Sequence, residues 1–282
     1  VSESPRYRPD DLRRLATELL SRAGLARERA SALGRLLLWY DAIGAHDFGI
    51  VGLGDWLTRL DHGDFDPKQQ GRVGPEHAST AVLEASGGLP PLLLARAAEI
   101  AGQKARDTGV GIVRVIGLPP SAGPAAAIAA DLAIGPFLGL VLGPGSAQSA
   151  AIPAPEGVPL IFDSILGDAG GEIEVTDGPT TGDEPMRMIV DRVAPWLLLS
   201  GAQEVVVVAL AVAAFESLGS FHRRVAEALE GRTAPAGWIF PEAWERHRSE
   251  AQQRGIALAE SVIGPLRERS AKAGVGFPSP VA

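Results

Sequence analysis

The apolar residues change period along this chain, and that switch constrains the fold more than any other feature. Toward the N-terminus they recur three and four apart. Leu12, Leu15 and Leu19 share a face in "YRPDDLRRLATELLSRAG", with Pro9 and Asp10 suited to a first turn and Gly24 to a stop. "ARERASALGRLLLWYDAIG" reads as a second helix ending at Gly44, and Ile50, Leu53, Leu57 and Leu60 mark a third in "IVGLGDWLTRLDHG". The polar, turn-rich "DFDPKQQGRVGPEH" that follows reads as a linker.

In the middle, "TAVLEA", "GIVRVIG", "FLGLVLG", "PLIFDSI" and "EIEVT" read as short strands. "PPLLLARAAEIAGQKARDTG" and "PAAAIAADLAIG" are helical segments between them, and "GLPPSAGP" and "GPGSAQSAAIPAPEGVP" are glycine- and proline-rich loops. This alternation predicts an α/β layer with a covered sheet. From Met186 helices are expected to dominate again, closing with "PEAWERHRSEAQQRG" and "LAESVIGPLRERSAKAG". "EVVVVALAVAAFESLG" is apolar all round and reads as a buried helix, although its valines leave a strand open. The expected fold class is therefore α/β, with helical N- and C-terminal parts around a central mixed β-sheet. The expected division is residues 1–75 packing with 236–282, and a central domain over 76–235.

Composition excludes several chemistries. With 46% hydrophobic but only 5% aromatic residues, the core must be built from Ala, Leu, Val and Ile. A net charge of −8 without a basic cluster argues against nucleic acid as a partner. There is no Cys, which removes thiol catalysis, disulfides and thiolate metal sites. Only three of the 26 basic side chains are lysines (Lys68, Lys104, Lys272), so a Schiff-base mechanism has few candidates. "VSESPRYRPDD" has no apolar signal region, and the longest apolar run, Val205–Phe215, is too short to span a bilayer. A cytoplasmic protein that does not engage membranes is expected.

The motifs are weak. "GVGIVRVIG" precedes a strand, whereas a dinucleotide fingerprint needs a strand, a glycine turn and then a helix. "GPGSAQSA" follows a strand and could offer backbone N–H groups to an anion, but no Lys or Arg adjoins it. "DHGDFDP" lacks the glycine and distal glutamate of an EF-hand loop and reads as a solvated helix end. The five histidines, at 46, 62, 77, 222 and 247, form no HxxH or HExxH pair, and GxSxG is absent, so no metal site is expected. His46 beside Asp47, just before a helix start, is the best acid/base candidate.

"YDAIGAHDFGIVGLGDWLTRLDHGDF" is similar to the segment AD-x-x-G-x-DSHGV-x-RL-x-x-Y of the type-2 malate/L-lactate dehydrogenase family. "VLEASGG…ARAAEIAGQKARDTGVGIVRV" and "IFPEAWERHRSEAQQRGIALAESVIGPLRERSAKAGV" are similar to later family blocks, in the same order. The resemblance implies a non-Rossmann α/β fold, a homodimer, a small-molecule substrate, and NAD(P)-dependent oxidoreduction of 2-hydroxy, 2-oxo and imino acids. The departures are local. The family's histidine falls on Phe48, its serine on Asp47 and its substrate-binding arginine on Gly52. A second histidine motif falls in the His-free "IGLPPSAGP". The GTNP segment is replaced by "GPGSAQSAAIP", and a cofactor-side region is missing before "WLLLSGAQ". Asp163 in "LIFDSI" matches a family aspartate.

Reducing a 2-oxo acid needs a proton donor near the carbonyl oxygen and a cation for the carboxylate. Phe48 and Gly52 supply neither. The favoured expectation is therefore a repurposed protein without a cofactor, performing cyclisation, isomerisation or elimination. His46, Asp47 and Asp163 would be its polar groups, and Phe48, Gly52, Trp56 and Leu118 would line its pocket. Two alternatives stay open: an NAD(P)H-dependent oxidoreductase with relocated catalytic groups, and a non-catalytic scaffold or partner subunit.

Overall fold

The computed structural model describes residues 4–119, 125–143, 148–168, 204–231 and 237–281. The chain forms two compact units. The first comprises Val1–Gln69, Gly87–Leu92 and Glu242–Ala282, and the second Gln70–Ser86 and Leu93–Pro241.

The first unit is helical. It holds α1 (Pro9–Arg22), α2 (Arg27–Ala42), α3 (Leu53–His62), α8 (Pro241–Arg254) and α9 (Glu260–Ala273). In α1, Pro9 sits in the first turn, where its missing N–H costs nothing. Asp10 and Asp11 complement the positive end of the helix dipole there. The leucine stripe expected from sequence is the one that is buried. Leu12, Leu19, Leu33, Leu37, Leu53, Leu57, Ile263 and Leu266 form one core, each contributing roughly 1.5–3 kcal/mol by leaving water. A ribbon of two short strands, β1 (Arg6–Tyr7) and β10 (Ile256–Ala257), ties the start of the unit to its end in the register Arg6↔Ala257 and Tyr7↔Ile256.

The described residues of the second unit build an eight-stranded mixed sheet. In chain order its strands are β2 (Arg72–Glu76), β3 (Thr80–Glu84), β4 (Val110–Ile116), β5 (Phe137–Leu142), β6 (Gln148–Ile152), β7 (Leu160–Asp163), β8 (Glu204–Ala211) and β9 (Trp238–Ile239). Their spatial order is β2-β3-β4-β8-β5-β6-β7-β9. Among the described residues only β3 and β4 pair in parallel, and helix α4 (Pro90–Thr108) makes the crossover that a parallel pair requires. Gly111 on β4 shows how closely that helix packs, since a Cβ there would lie 1.8 Å from the carbonyl oxygen of Ala101. Three further helices are α5 (Ala126–Ile134), α6 (Ser164–Asp168) and α7 (Leu218–Leu229).

Three expectations need correction. The run from Val205 is strand β8, not a helix. It lies between β4 and β5, with Val205 through Ala209 all buried. A strand covered on both faces has no polar alternation to betray it, and β-branched valines favour the extended form. Helix α7 instead begins after it, at Leu218, where the Ser217 hydroxyl accepts the Ser220 N–H at 3.2 Å as an N-cap. The linker contains edge strand β2, paired with β3. The glycine/proline loop contains β6, whose sequence QSAAI has little strand propensity but is paired on both sides, with β5 and β7. The expected strand "EIEVT" lies outside the described residues.

Candidate functional site

The candidate residues divide between the units. His46, Asp47, Phe48, Gly52 and Trp56 lie in the first, and Leu118 and Asp163 in the second.

In the first unit the site grows from the end of α2. The last turn buries Asp41, which is 1% exposed. The chain then reverses at Gly44, whose φ of 83° lies in the left-handed region, and the Ala45 N–H returns to the Tyr40 carbonyl at 2.9 Å. Two short 3₁₀ turns, His46–Phe48 and Ile50–Gly52, lead into α3. This path brings His46 back over the aspartate, with its Nδ1 3.2 Å from Asp41 Oδ1. The Ile50 N–H donates to Asp41 Oδ2 at 2.7 Å. Burial pushes the Asp41 carboxyl above the ordinary carboxylate range, while the hydrogen bonds from His46 and Ile50 pull it back. The His46 side chain is 55% exposed, while the carboxyl that its Nδ1 faces is buried.

The neighbours have other roles. Asp47 is exposed on the same turn. The Phe48 ring packs 6.2 Å from Tyr40, and Tyr40 lies 5.0 Å edge-on from Trp39. A Cβ at Gly52 would meet nothing within 4 Å. Trp56 packs on Phe65 at 5.8 Å, with the Arg59 guanidinium 5.4 Å over its ring. Sequence reading missed Asp41. The visible signal was an aspartate and a histidine five apart across a glycine that can reverse the chain.

In the second unit Asp163 is wholly buried. Its Oδ2 accepts the Ser149 hydroxyl at 2.6 Å, and its Oδ1 accepts the Ile165 and Leu166 N–H groups at 2.9 and 3.1 Å. Those backbone donors open α6, so the side chain caps that helix while Ser149 ties it to β6. Burial raises the Asp163 carboxyl above its ordinary range against these bonds. Leu118 is 1% exposed and belongs to the core. A cavity of about 800 Å³ in this unit is lined by Glu76, His77, Glu99, Gln103, Lys104 and Asp107 among others. Lys104 Nζ is held by Glu76 Oε1 at 3.0 Å and by the His77 carbonyl at 2.7 Å. Its three carboxylates suit a pyrophosphate poorly. Among the described residues no group of three or more His, Cys, Asp or Glu could hold a metal ion, and no helix is long and apolar enough to cross a membrane.

A helical unit and a mixed-sheet unit together make an α/β fold. Residues 7–133 match the model of the family described as malate/L-lactate dehydrogenase. An L-sulfolactate dehydrogenase of Methanocaldococcus jannaschii is 28% identical over 106 residues, which is 38% of this chain and only 31% of that relative's length. Among solved structures, malate dehydrogenase from Entamoeba histolytica superimposes with a TM-score of 0.80 at 16% identity, covering 98% of this chain and 100% of the other. Malate dehydrogenase from Pyrococcus horikoshii OT3 gives 0.77 at 18% identity, with 98% of each chain covered. The chain is thus similar in fold to these malate dehydrogenases along nearly its whole length, and matches the family model over residues 7–133.

This overturns the expectation of a protein without a cofactor. The family and its structural neighbours are dehydrogenases, which points to a nicotinamide cofactor rather than none. The cofactor-independent reading goes with it.

Proposed function

We propose that this chain is a nicotinamide-dependent oxidoreductase of a small 2-oxo, 2-hydroxy or imino acid, working as a homodimer, in which His46 carries the proton. One observation carries the assignment of the proton: the His46 ring is pinned through Nδ1 to a buried carboxylate while its side chain is 55% exposed. The segment also lies inside the stretch that matches the family.

When bound, reduced nicotinamide supplies the hydride. The residues present fit the other half of such a reaction. A carbonyl or imine that accepts a hydride at carbon needs one proton at oxygen or nitrogen, and an imidazolium at His46 can give it. With Nδ1 on Asp41, that transfer falls to Nε2. In the reverse direction the neutral imidazole takes the proton from the hydroxyl or amine. Asp41 stabilises the imidazolium form in both directions.

The test is to mix the purified chain with NADH or NADPH and a panel of 2-oxo and cyclic imino acids. Consumption of one reduced nucleotide with at least one substrate, at about 1 s⁻¹ or faster, is the expected result. Failure of both nucleotides to bind or to be consumed with every member of the panel overturns the proposal. Light scattering checks the dimer.

A further inference from the structure

We infer that Asp41 is the positioning residue for His46, and that position 49 is glycine because the Asp41 carboxylate occupies the space of a side chain there. The inference names the positioning machinery of the site proposed above and rests on that reading for its catalytic consequence.

The loop from Gly44 to Ile50 is wrapped around one carboxylate. A Cβ built on Gly49 would lie 2.3 Å from Asp41 Cγ, 2.3 Å from Oδ1 and 2.4 Å from Oδ2. No real side chain tolerates such approaches, so the carboxylate and a residue-49 side chain exclude one another. The φ of Gly49 is −86°, so no left-handed backbone calls for glycine there, and what a side chain would meet is the Asp41 carboxylate. The two carboxylate oxygens are differently engaged. Oδ2 takes the Ile50 N–H at 2.7 Å, and Oδ1 faces His46 Nδ1 at 3.2 Å. An acceptor at Nδ1 requires that nitrogen to carry the proton, which leaves Nε2 as the basic nitrogen of the neutral ring. Other titratable groups surround the pair. Asp47 adjoins His46, Tyr40 precedes Asp41 on α2, and the His247 ring of α8 lies 3.2 Å from where a Gly44 Cβ would stand.

The alternative is that Asp41 serves only to accept the Ile50 N–H. Asp41→Asn separates the two roles. Asparagine has one acceptor oxygen; with that oxygen on Ile50, its amide donates toward His46 Nδ1 and the ring must carry its proton on Nε2 instead. The backbone bond survives and the tautomer reverses.

The experiment is ¹⁵N NMR of the histidine rings in the full chain, assigned with His46→Gln, for the wild type, Asp41→Asn and Gly49→Ala. The Nδ1–H tautomer is expected at His46 in the wild type and the Nε2–H tautomer in Asp41→Asn. In Gly49→Ala the Nδ1–H tautomer is lost, because the new methyl group expels the carboxylate. With the substrate found above, Asp41→Asn should lower kcat about 100-fold or more with little change in KM. The double variant should be no slower than Gly49→Ala alone, since both changes remove one interaction. An unchanged tautomer in Asp41→Asn, in protein that melts cooperatively, overturns the inference. The NMR result is independent of turnover. A reversed tautomer in a protein that consumes no nucleotide therefore upholds the positioning role while the proposed function fails.

Discussion

Two buried aspartates, one in each unit, show how the same chemical group serves different ends. Asp41 is 1% exposed and Asp163 is 0% exposed. Burial raises both carboxyls, and backbone N–H groups that open the following turn or helix offset part of that cost. They differ in the remaining oxygen. Asp163 gives it to the Ser149 hydroxyl inside the sheet, so every contact stays internal and the residue fastens α6 to β6. Asp41 gives it to an imidazole that reaches solvent, so a buried charge acts on a group a substrate can meet. Under the proposed function, a buried carboxylate is functional or architectural according to the exposure of its partner, not its own.

The comparison breaks most readily at His46. His46→Gln removes the proton carrier and its hydrogen bond to the buried Asp41 carboxyl, and should lower kcat by about 10²–10⁴-fold at a stability cost of about 1–3 kcal/mol. Steady-state kinetics and urea melts check this together. A large stability loss without a rate effect would place His46 with Asp163 as architecture. The next largest effect is Asp163→Ala. It leaves the Ser149 hydroxyl and the Ile165 and Leu166 N–H groups without their acceptor, at about 1–3 kcal/mol for each group left unsatisfied. A loss of about 3 kcal/mol or more is expected in chemical denaturation, with kcat of the remaining folded protein little changed.

Much of the architecture was legible because burial leaves a period. The leucines of α1 and α3 mark their faces in sequence, and β3, β4, β5 and β7 stand out as short apolar runs. Legibility fails where neighbours impose the structure. The alanines and serine of β6 are extended because β5 and β7 flank them, and the valines of β8 are apolar on both faces and lose the alternation that marks a strand. In the site, His46 stood out by position and Asp41 did not. Its role depends on a chain reversal at Gly44 and on the absence of a single methyl group at residue 49, and neither leaves a periodic trace. The cofactor was misjudged for a related reason. The substitutions at Phe48 and Gly52 read as losses and outweigh the alternative of relocated catalytic groups, although His46 stands only two residues from Phe48.

The smallest effect sharpens the comparison most, and it is a pH slope. A buried carboxyl whose folded value is raised above its ordinary 3.8 binds its proton more tightly in the folded chain than in the unfolded one. Its contribution to stability is therefore largest below 3.8 and falls as pH rises through the raised value, the opposite of a salt-bridged surface aspartate. For Asp163 this gives at most about 1.4 kcal/mol per pH unit inside that window. Asp163→Asn keeps an acceptor for the Ile165 and Leu166 N–H groups and turns the Ser149 hydroxyl into an acceptor, but it cannot titrate. The wild type should therefore gain on the variant as pH is lowered from neutrality, measured as the difference in urea midpoints across the acid range. Asp41→Asn should show a weaker slope, because the hydrogen bond from His46 favours ionised Asp41 and offsets part of the cost of burial. Equal slopes for the two variants would mean that His46 does not influence its carboxylate, and the distinction between the two aspartates would collapse.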